Sequence, residues 1–406
     1  MIQKITVSGF KSLNKFRLNF RKGLNVLIGP NGAGKTNICQ ALGMISAVCD
    51  NSIAEYIISV GGKSSLSTLS SNQSRSRLKI GCVGNVKNDL EKESIDLKYK
   101  YSLTLRLKTQ GMKIYYEKLE IQRLTRDQIY KKVLTASRNS KGNANINIVD
   151  LENIGPLRTD LFQEEGKREF NLRIPEMMGF LSVLSVFIYA CHLVNADLSF
   201  SRAWNIDPYL AKRPTDVLEP SSMLSDGRRM ANALHEMEKK GGKEFEEMSH
   251  ILARILPGFR KINVVTKTET MLNSFSITDH NDVTCPANCL SDGTIKTIAL
   301  LVGVYGQNAS TNIIEEPENY LHPWACQLLI RYLRDHFQKG VCIITTHSET
   351  ILNLVFPKEI VIVENENGFT KAARATNKSG LKKAISESGF GCGYHYVAGN
   401  LGGTPE

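Results

Sequence analysis

Two sets of residues in this 406-residue chain have the types and spacing that handle phosphate. The first is Gly29-Pro-Asn-Gly-Ala-Gly-Lys-Thr36, which fits the pattern G-x-x-x-x-G-K-[ST] at every fixed position. Gly29, Gly32 and Gly34 open backbone conformations closed to other residues, so successive amides can turn inward on phosphate oxygens at a helix N-terminus. Lys35 is placed to reach β- and γ-phosphates and Thr36 to hold Mg²⁺, with Pro30, Asn31, Ala33 and Asn37 completing the candidate nucleotide-binding set. The second set is Thr311-Asn-Ile-Ile-Glu-Glu-Pro-Glu318, where an apolar strand end delivers two adjacent carboxylates. Phosphoryl transfer needs one acidic group on the Mg²⁺ and one beside it to position or deprotonate the attacking water. Glu315 suits the first role and Glu316 the second.

The elements that must position these groups are readable from period. Residues 1–28 alternate apolar and polar through Ile2, Ile5 and Val7, then Phe16, Leu18 and Phe20, then Leu24, Val26 and Ile28, which predicts three short strands leading into the glycine-rich loop. Asn37 to Ile45 has helical spacing. Leu290-Ser-Asp-Gly-Thr-Ile-Lys296 leads into an apolar helix at Thr297–Tyr305, so Ser291 and Gly293 sit at a helix start, a second anion site. Val341-Cys-Ile-Ile-Thr-Thr-His347 predicts a buried strand that ends on the histidine, although a lone histidine at a strand end is usually structural.

Between these motifs, Leu97–Leu105 and Met112–Ile121 flank Thr109-Gln-Gly111 and predict an antiparallel hairpin. Its lysines interleave with Tyr99, Tyr101, Tyr115 and Tyr116, a pattern that serves either an ordinary exposed sheet face or phosphate contact with base stacking. Thr125–Asn147 reads as a basic insertion ending in a flexible loop, and residues 61–73 as a polar connector. Residues 175–199 predict one apolar helix, followed by amphipathic helices at Arg228–Lys239 and Glu244–Leu256 and short strands over 259–288.

Composition bounds the class. With 42% hydrophobic and 22% charged residues the chain is globular rather than disordered. Nine cysteines stand singly or as Cys285-x-x-x-Cys289, which argues against a disulfide framework and structural zinc and points to a reducing cytoplasm. No leader is expected at Met1, and the longest apolar run, Met177–Cys191, falls short of the roughly 20 residues a bilayer needs, so no membrane is expected. The net charge of +11 is uneven: residues 1–150 carry 25 Lys and Arg against 10 Asp and Glu, while residues 151–406 carry 26 against 30. Basicity concentrated in the first part suits a nucleic acid, or equally a lysine-rich solvated surface.

Taken together, the Walker A loop Gly29–Thr36, signature-like Leu290-Ser-Asp-Gly-Thr294, Walker B-like Ile313-Ile-Glu-Glu316 and switch-like His347 resemble ABC-type ATPases. Glu315-Glu-Pro-Glu-x-x-Leu-His-Pro323, Thr345-Thr-His-Ser348, Leu224-Ser-Asp-Gly227 and Leu401-Gly-Gly-Thr-Pro405 narrow the likeness to the OLD (overcoming lysogenization defect) and RecF/SMC-related ATPases. The resemblance implies an α/β fold: an ABC-type P-loop head with a mixed sheet, an antiparallel β subdomain and a helical insertion. Three segments follow: an N-terminal ATPase lobe at 1–170, a helical subdomain at 171–258 and a C-terminal ATPase lobe at 259–406.

It further implies ATP and Mg²⁺ as cofactors and a homodimer that sandwiches two nucleotides, or an assembly of such dimers. Ser291 and Gly293 of one subunit would then meet the γ-phosphate held by Lys35 of the other. His347 would contact the γ-phosphate, and Asn319–His322 takes the place of the D-loop. Glu315 stands where ABC transporters carry aspartate, and a Mg²⁺-contacting glutamine belongs near Gln73. No Asp-x-Asp occurs and 56 residues follow Thr350, so a C-terminal Toprim nuclease is not expected and effector activity is assigned to a separate, neighbouring protein. The expected function is a cytoplasmic ATPase that switches a nuclease or toxin in anti-phage defence, with a RecF-like DNA-repair ATPase as the alternative.

Overall fold

The computed structural model describes residues 1–62, 65–66, 77–90, 93–108, 111–150, 168–199, 203–306, 310–377 and 387–400. In chain order the strands are β1 (Ile2–Ser8), β2 (Phe16–Asn19), β3 (Gly23–Ile28), β4 (Arg77–Leu90), β5 (Glu93–Lys108), β6 (Gly111–Leu124), β7 (Tyr130–Arg138), β8 (Asn143–Ile148), β9 (Glu169–Arg173), β10 (Ala203–Trp204), β11 (Thr215–Asp216), β12 (Phe259–Lys267), β13 (Leu272–Asp279), β14 (Thr284–Pro286), β15 (Thr311–Glu315), β16 (Val341–Thr345), β17 (Ile360–Glu366) and β18 (Phe369–Arg374). The helices are α1 (Lys35–Cys49), α2 (Ile53–Ser59), α3 (Phe180–Leu184), α4 (Tyr189–Ser199), α5 (Pro208–Ala211), α6 (Met230–Lys240), α7 (Lys243–Ile255), α8 (Asp292–Tyr305), α9 (Pro323–His336), α10 (Glu349–Leu354) and α11 (Cys392–Val397). Among the described residues no helix is long and apolar enough to cross a membrane.

The chain groups into two compact units: Met1–Arg21, Gly29–Arg202 and Ile362–Ala373 form one, and Lys22–Ile28, Ala203–Val361 and Arg374–Glu406 the other. They interleave along the chain, whereas the lobes proposed from the sequence, 1–170, 171–258 and 259–406, are consecutive.

The first unit is built on an eight-stranded antiparallel sheet in the order β2-β1-β4-β5-β6-β7-β8-β9. Alternation along β5 sends Leu97, Tyr99, Tyr101 and Leu103 to the covered face while Lys98 and Lys100 face solvent. Helices α1 and α4 pack together in this unit, and α4 also packs on β4. The predicted hairpin is present, with Leu97 opposite Arg123 and Leu107 opposite Met112; Thr109 and Gln110 lie outside the described residues.

Three local expectations are corrected. Thr125–Asn147 is mostly strand, since β7 and β8 pair, and its polar stretch is a tight turn in which the Asn139 carboxamide oxygen accepts from the amides of Lys141 and Asn143. The helix expected over 175–199 is broken into α3 and α4. Ser182 and Ser185 hydroxyls donate to the carbonyls of Gly179 and Ser182 there, giving the backbone an alternative to helix continuation. Tyr99 and Tyr101 are not stacking platforms: each is 1% exposed, and their hydroxyls donate to Asp197 and Glu117 at 2.6 Å each.

The second unit contains the parallel run β10-β15-β16-β3. Leu24, Val26, Leu27 and Ile28 of β3, Ile313 and Ile314 of β15 and Val341 to Ile344 of β16 are all buried, as expected of a parallel sheet covered on both faces, with Asn25, Thr311 and Asn312 buried among them. Leu27 pairs with Thr345, and Thr345 with Glu315, so the carboxyl ends of β3, β16 and β15 lie side by side at one edge. The chain leaves β3 at that edge and enters the glycine-rich loop.

Candidate nucleotide site

The glycine-rich loop adopts the conformation its spacing predicts. Gly34 caps α1 in the left-handed region at φ 101°, and a Cβ there would collide with the Thr370 hydroxyl. The loop is thus a cradle that any larger residue at this position fills. Lys35 is 7% exposed and folds back along the cradle, its Nζ donating to the carbonyls of Gly29 at 2.7 Å and Pro30 at 3.1 Å. An ammonium held among loop carbonyls stands in the place where a polyphosphate would offer stronger acceptors. Thr36, Asn31 and Gly32 are exposed, while Ala33 is buried. Asn37 points elsewhere: its amide donates to the Ser12 hydroxyl at 2.7 Å.

Sequence reading missed the brace behind the cradle. Thr370 Oγ1 donates to the Ala33 carbonyl at 2.8 Å and lies 2.6 Å from Ser12 Oγ, and Asn365 Nδ2 donates to the Gly32 carbonyl at 3.3 Å. Thr370 and Ala33 are 337 positions apart, so no local signal could have joined them.

In the second unit, β15 carries Ile313 and Ile314 into the core and ends at Glu315, with both Glu315 and Glu316 half-buried. Glu316 takes φ 45°, unusual for a residue with a side chain. It is pinned there from two sides. Its amide donates to the Thr345 carbonyl at 2.9 Å, and its own carbonyl accepts from Lys296 Nζ at 2.8 Å. The Glu316 carboxylate accepts from Asn319 Nδ2 at 2.8 Å and faces His347 Nε2 at 3.8 Å. The structure therefore brings together Glu316, Asn319 and His347, with Glu315 next to Glu316 at the end of β15.

Ser291 is the N-cap of α8, its Oγ accepting from the Thr294 amide at 3.1 Å. Gly293 lies under the turn after Glu316: a Cβ there would sit 2.5 Å from the Tyr320 carbonyl oxygen. Signature helix and acidic turn are thus packed backbone to backbone within one unit. Lys296, 2% exposed, is the polar link between them; burial pushes its pKa down, against the opposing charges of Glu318 and Glu316. The Leu224–Gly227 motif forms a separate turn closed by Gly227 N–H donating to the Leu224 carbonyl at 2.9 Å. Gln73 and Leu401–Pro405 lie outside the described residues.

Among the described residues no three His, Cys, Asp or Glu side chains converge as a metal cage. Mg²⁺ in nucleotide sites takes one or two protein ligands and completes its shell with phosphates and water, so it needs no such cage.

The family model described as AAA ATPase domain matches residues 1–352. The chain belongs to the AAA ATPase domain family. Curated relatives resemble it over short stretches: the Septu protein PtuA of Bacillus thuringiensis is 42% identical over 43 residues, 11% of this chain and 11% of that protein. The DNA double-strand break repair Rad50 ATPase of Methanopyrus kandleri is 43% identical over 42 residues, 10% of this chain and 5% of Rad50. The chain thus spans about a tenth or less of the length of these two relatives. By structure it is similar to an SMC head solved bound to the C-winged helix domain of ScpA, with a TM-score of 0.52 at 14% identity over 94% of this chain and 99% of that one. This AAA ATPase domain therefore has the ABC-type head fold, a mixed α/β architecture with several sheets.

Proposed function

We propose that this protein is a Mg²⁺-dependent ATPase of the OLD type that dimerises around ATP and switches a partner effector, a nuclease or toxin, in bacterial anti-phage defence. The observation that carries the ATPase reading is the strand register. Leu27, Thr345 and Glu315 are aligned, so the entry to the phosphate cradle and the paired carboxylates leave the same sheet edge. Bound Mg-ATP supplies the reacting phosphoryl group. Lys35 and the cradle amides would hold its phosphates, Thr36 and Glu315 would each offer the metal an oxygen, Glu316 would take the proton of the attacking water, and His347 would orient the reacting end. Ser291 and Gly293, at the tip of α8, serve the γ-phosphate of a second copy, so the working unit is a homodimer. The likeness to PtuA over 43 residues supports the defence assignment, and nine free cysteines suit a reducing cytoplasm.

Phosphate release and light scattering on the purified chain test this reading. ATP with Mg²⁺ should double the mass and yield phosphate, and Glu316→Gln should trap the ATP-bound dimer. A chain that neither hydrolyses ATP nor changes mass with it would overturn the proposal.

A RecF-like DNA-repair ATPase is the alternative, and one observation favours it. Lys98 and Lys100 on β5 and Lys118 on β6 are exposed on the same sheet face, with Lys100 opposite Glu120 and Ser102 opposite Lys118. Replacing all three with Glu should weaken binding to single-stranded or duplex DNA and flatten its salt dependence. Absence of binding at about 50 mM salt would leave this face as solvated surface.

A further inference from the structure

One carboxylate beside the acidic turn has no part in the chemistry above. Glu318 Oε1 accepts from the Thr346 hydroxyl at 2.5 Å and from the His347 amide at 3.3 Å. Thr346 Oγ1 in turn accepts from the Ser348 amide at 2.9 Å, and the Ser348 hydroxyl caps α10 by accepting from the Ile351 amide at 3.4 Å. The chain from Thr346 to Ser348 therefore leaves β16 along a path set by one carboxylate oxygen. The other oxygen, Oε2, is buried and has no hydrogen-bond partner among the described residues. Desolvating half a carboxylate without a partner is costly, and a fold selected for stability alone has no reason to keep it. The charge of Lys296 offsets part of that cost, and Glu318 in turn helps to keep Lys296 protonated against burial.

We propose that Glu318 is a positioning residue for the hydrolytic step: it fixes the His347 backbone so that the imidazole stays against Glu316. The 3.8 Å separation between His347 Nε2 and Glu316 Oε1 is loose enough that it depends on the backbone holding both groups. Glu316 is held by Thr345 and Lys296. His347, half-exposed at its side chain, is held at its amide by Glu318. The inference rests on the ATPase reading for its kinetic consequence, but its geometric content stands by itself.

The test combines kinetics with a nucleotide-free readout. Glu318→Ala should lower kcat about 10- to 100-fold, as expected of a misplaced reacting group, with the affinity for ATP unchanged. Glu318→Gln retains the accepting oxygen and should restore most of the rate. In a His347→Ala background, Glu318→Ala should cost nothing more, because a residue acting through another is non-additive with it. In the protein without nucleotide, Glu318→Ala should shift the His347 imidazole resonances, assigned by their loss in His347→Ala, while thermal unfolding in Glu318→Gln stays near wild type. Multiplicative losses in the double variant, or unmoved His347 resonances, would overturn the proposal. If the wild-type chain hydrolyses no ATP, the ATPase reading fails, and the resonance shift still decides whether Glu318 holds His347.

Discussion

The phosphate cradle and the acidic turn are built by opposite means. The cradle is one contiguous run whose shape comes from glycine backbone freedom and a helix start, and its lysine lies along the loop's own carbonyls. The acidic turn is assembled from β15, β16, α8 and the Thr346–Ser348 segment, and its shape comes from side chains: Lys296 on a carbonyl, Asn319 on a carboxylate, Glu318 on the backbone beyond β16. It also holds a glutamate at φ 45°. A loop that must grip any nucleoside polyphosphate can rely on main-chain amides, which every sequence has. In the function proposed above, a turn that holds a base at one spot and faces a second copy through α8 needs specific side chains and stored strain. The two should therefore respond differently to substitution, one in binding and the other in turnover.

The sharpest break of that contrast is Glu316→Gln, which keeps shape and loses the base. Turnover should fall about 10²- to 10⁴-fold with ATP affinity retained, measured by phosphate release and calorimetry. Normal turnover would remove Glu316 from its role. Lys35→Ala should act on the other side, weakening ATP binding about 100-fold because a charged hydrogen-bonding group is lost from the cradle. Calorimetric titration checks it, and unchanged affinity would show that this loop is not the nucleotide site. Thr370→Val sharpens the comparison, since it removes the hydroxyl that braces the Ala33 carbonyl with little change of volume and leaves Asn365 on the Gly32 carbonyl. Loss of about one hydrogen bond, roughly 1 kcal/mol, should weaken ATP binding about fivefold and leave kcat unchanged. A fall in kcat alone would mean that the cradle, too, relies on side chains for catalysis.

What could be read beforehand follows the same division. The cradle, α1, the three strands before it and the Glu315–Glu316 strand end are contiguous patterns whose period or spacing names them, and the structure places them as expected. The capped start of α8 at Ser291 was equally local. The Thr370 brace and the Lys296 and Glu318 contacts join residues far apart in the chain, and nothing in either partner's neighbourhood announces the other. The failures in the first unit have local causes as well. Serines at 182 and 185 offered hydrogen bonds that compete with a helix, and an asparagine-led turn between β7 and β8 looks like a flexible polar stretch until its side chain is seen closing it. Interleaved lysine and tyrosine on β5 belong to opposite faces, so the tyrosines that might have stacked bases lie in the core.

The central claim is that cradle and signature act in one nucleotide site supplied by two copies of the chain. Ser291→Arg puts bulk and charge at the tip of α8, and Lys35→Ala disables the cradle, so each variant alone should be inactive. Mixed, they form heterodimers in which the normal cradle of one copy meets the normal Ser291 of the other. The ATPase rate of the mixture is the deciding measurement. Recovery of activity, up to one working site per heterodimer, is the predicted result. Ser291→Arg hydrolysing ATP by itself as a monomer at the wild-type rate would contradict the account.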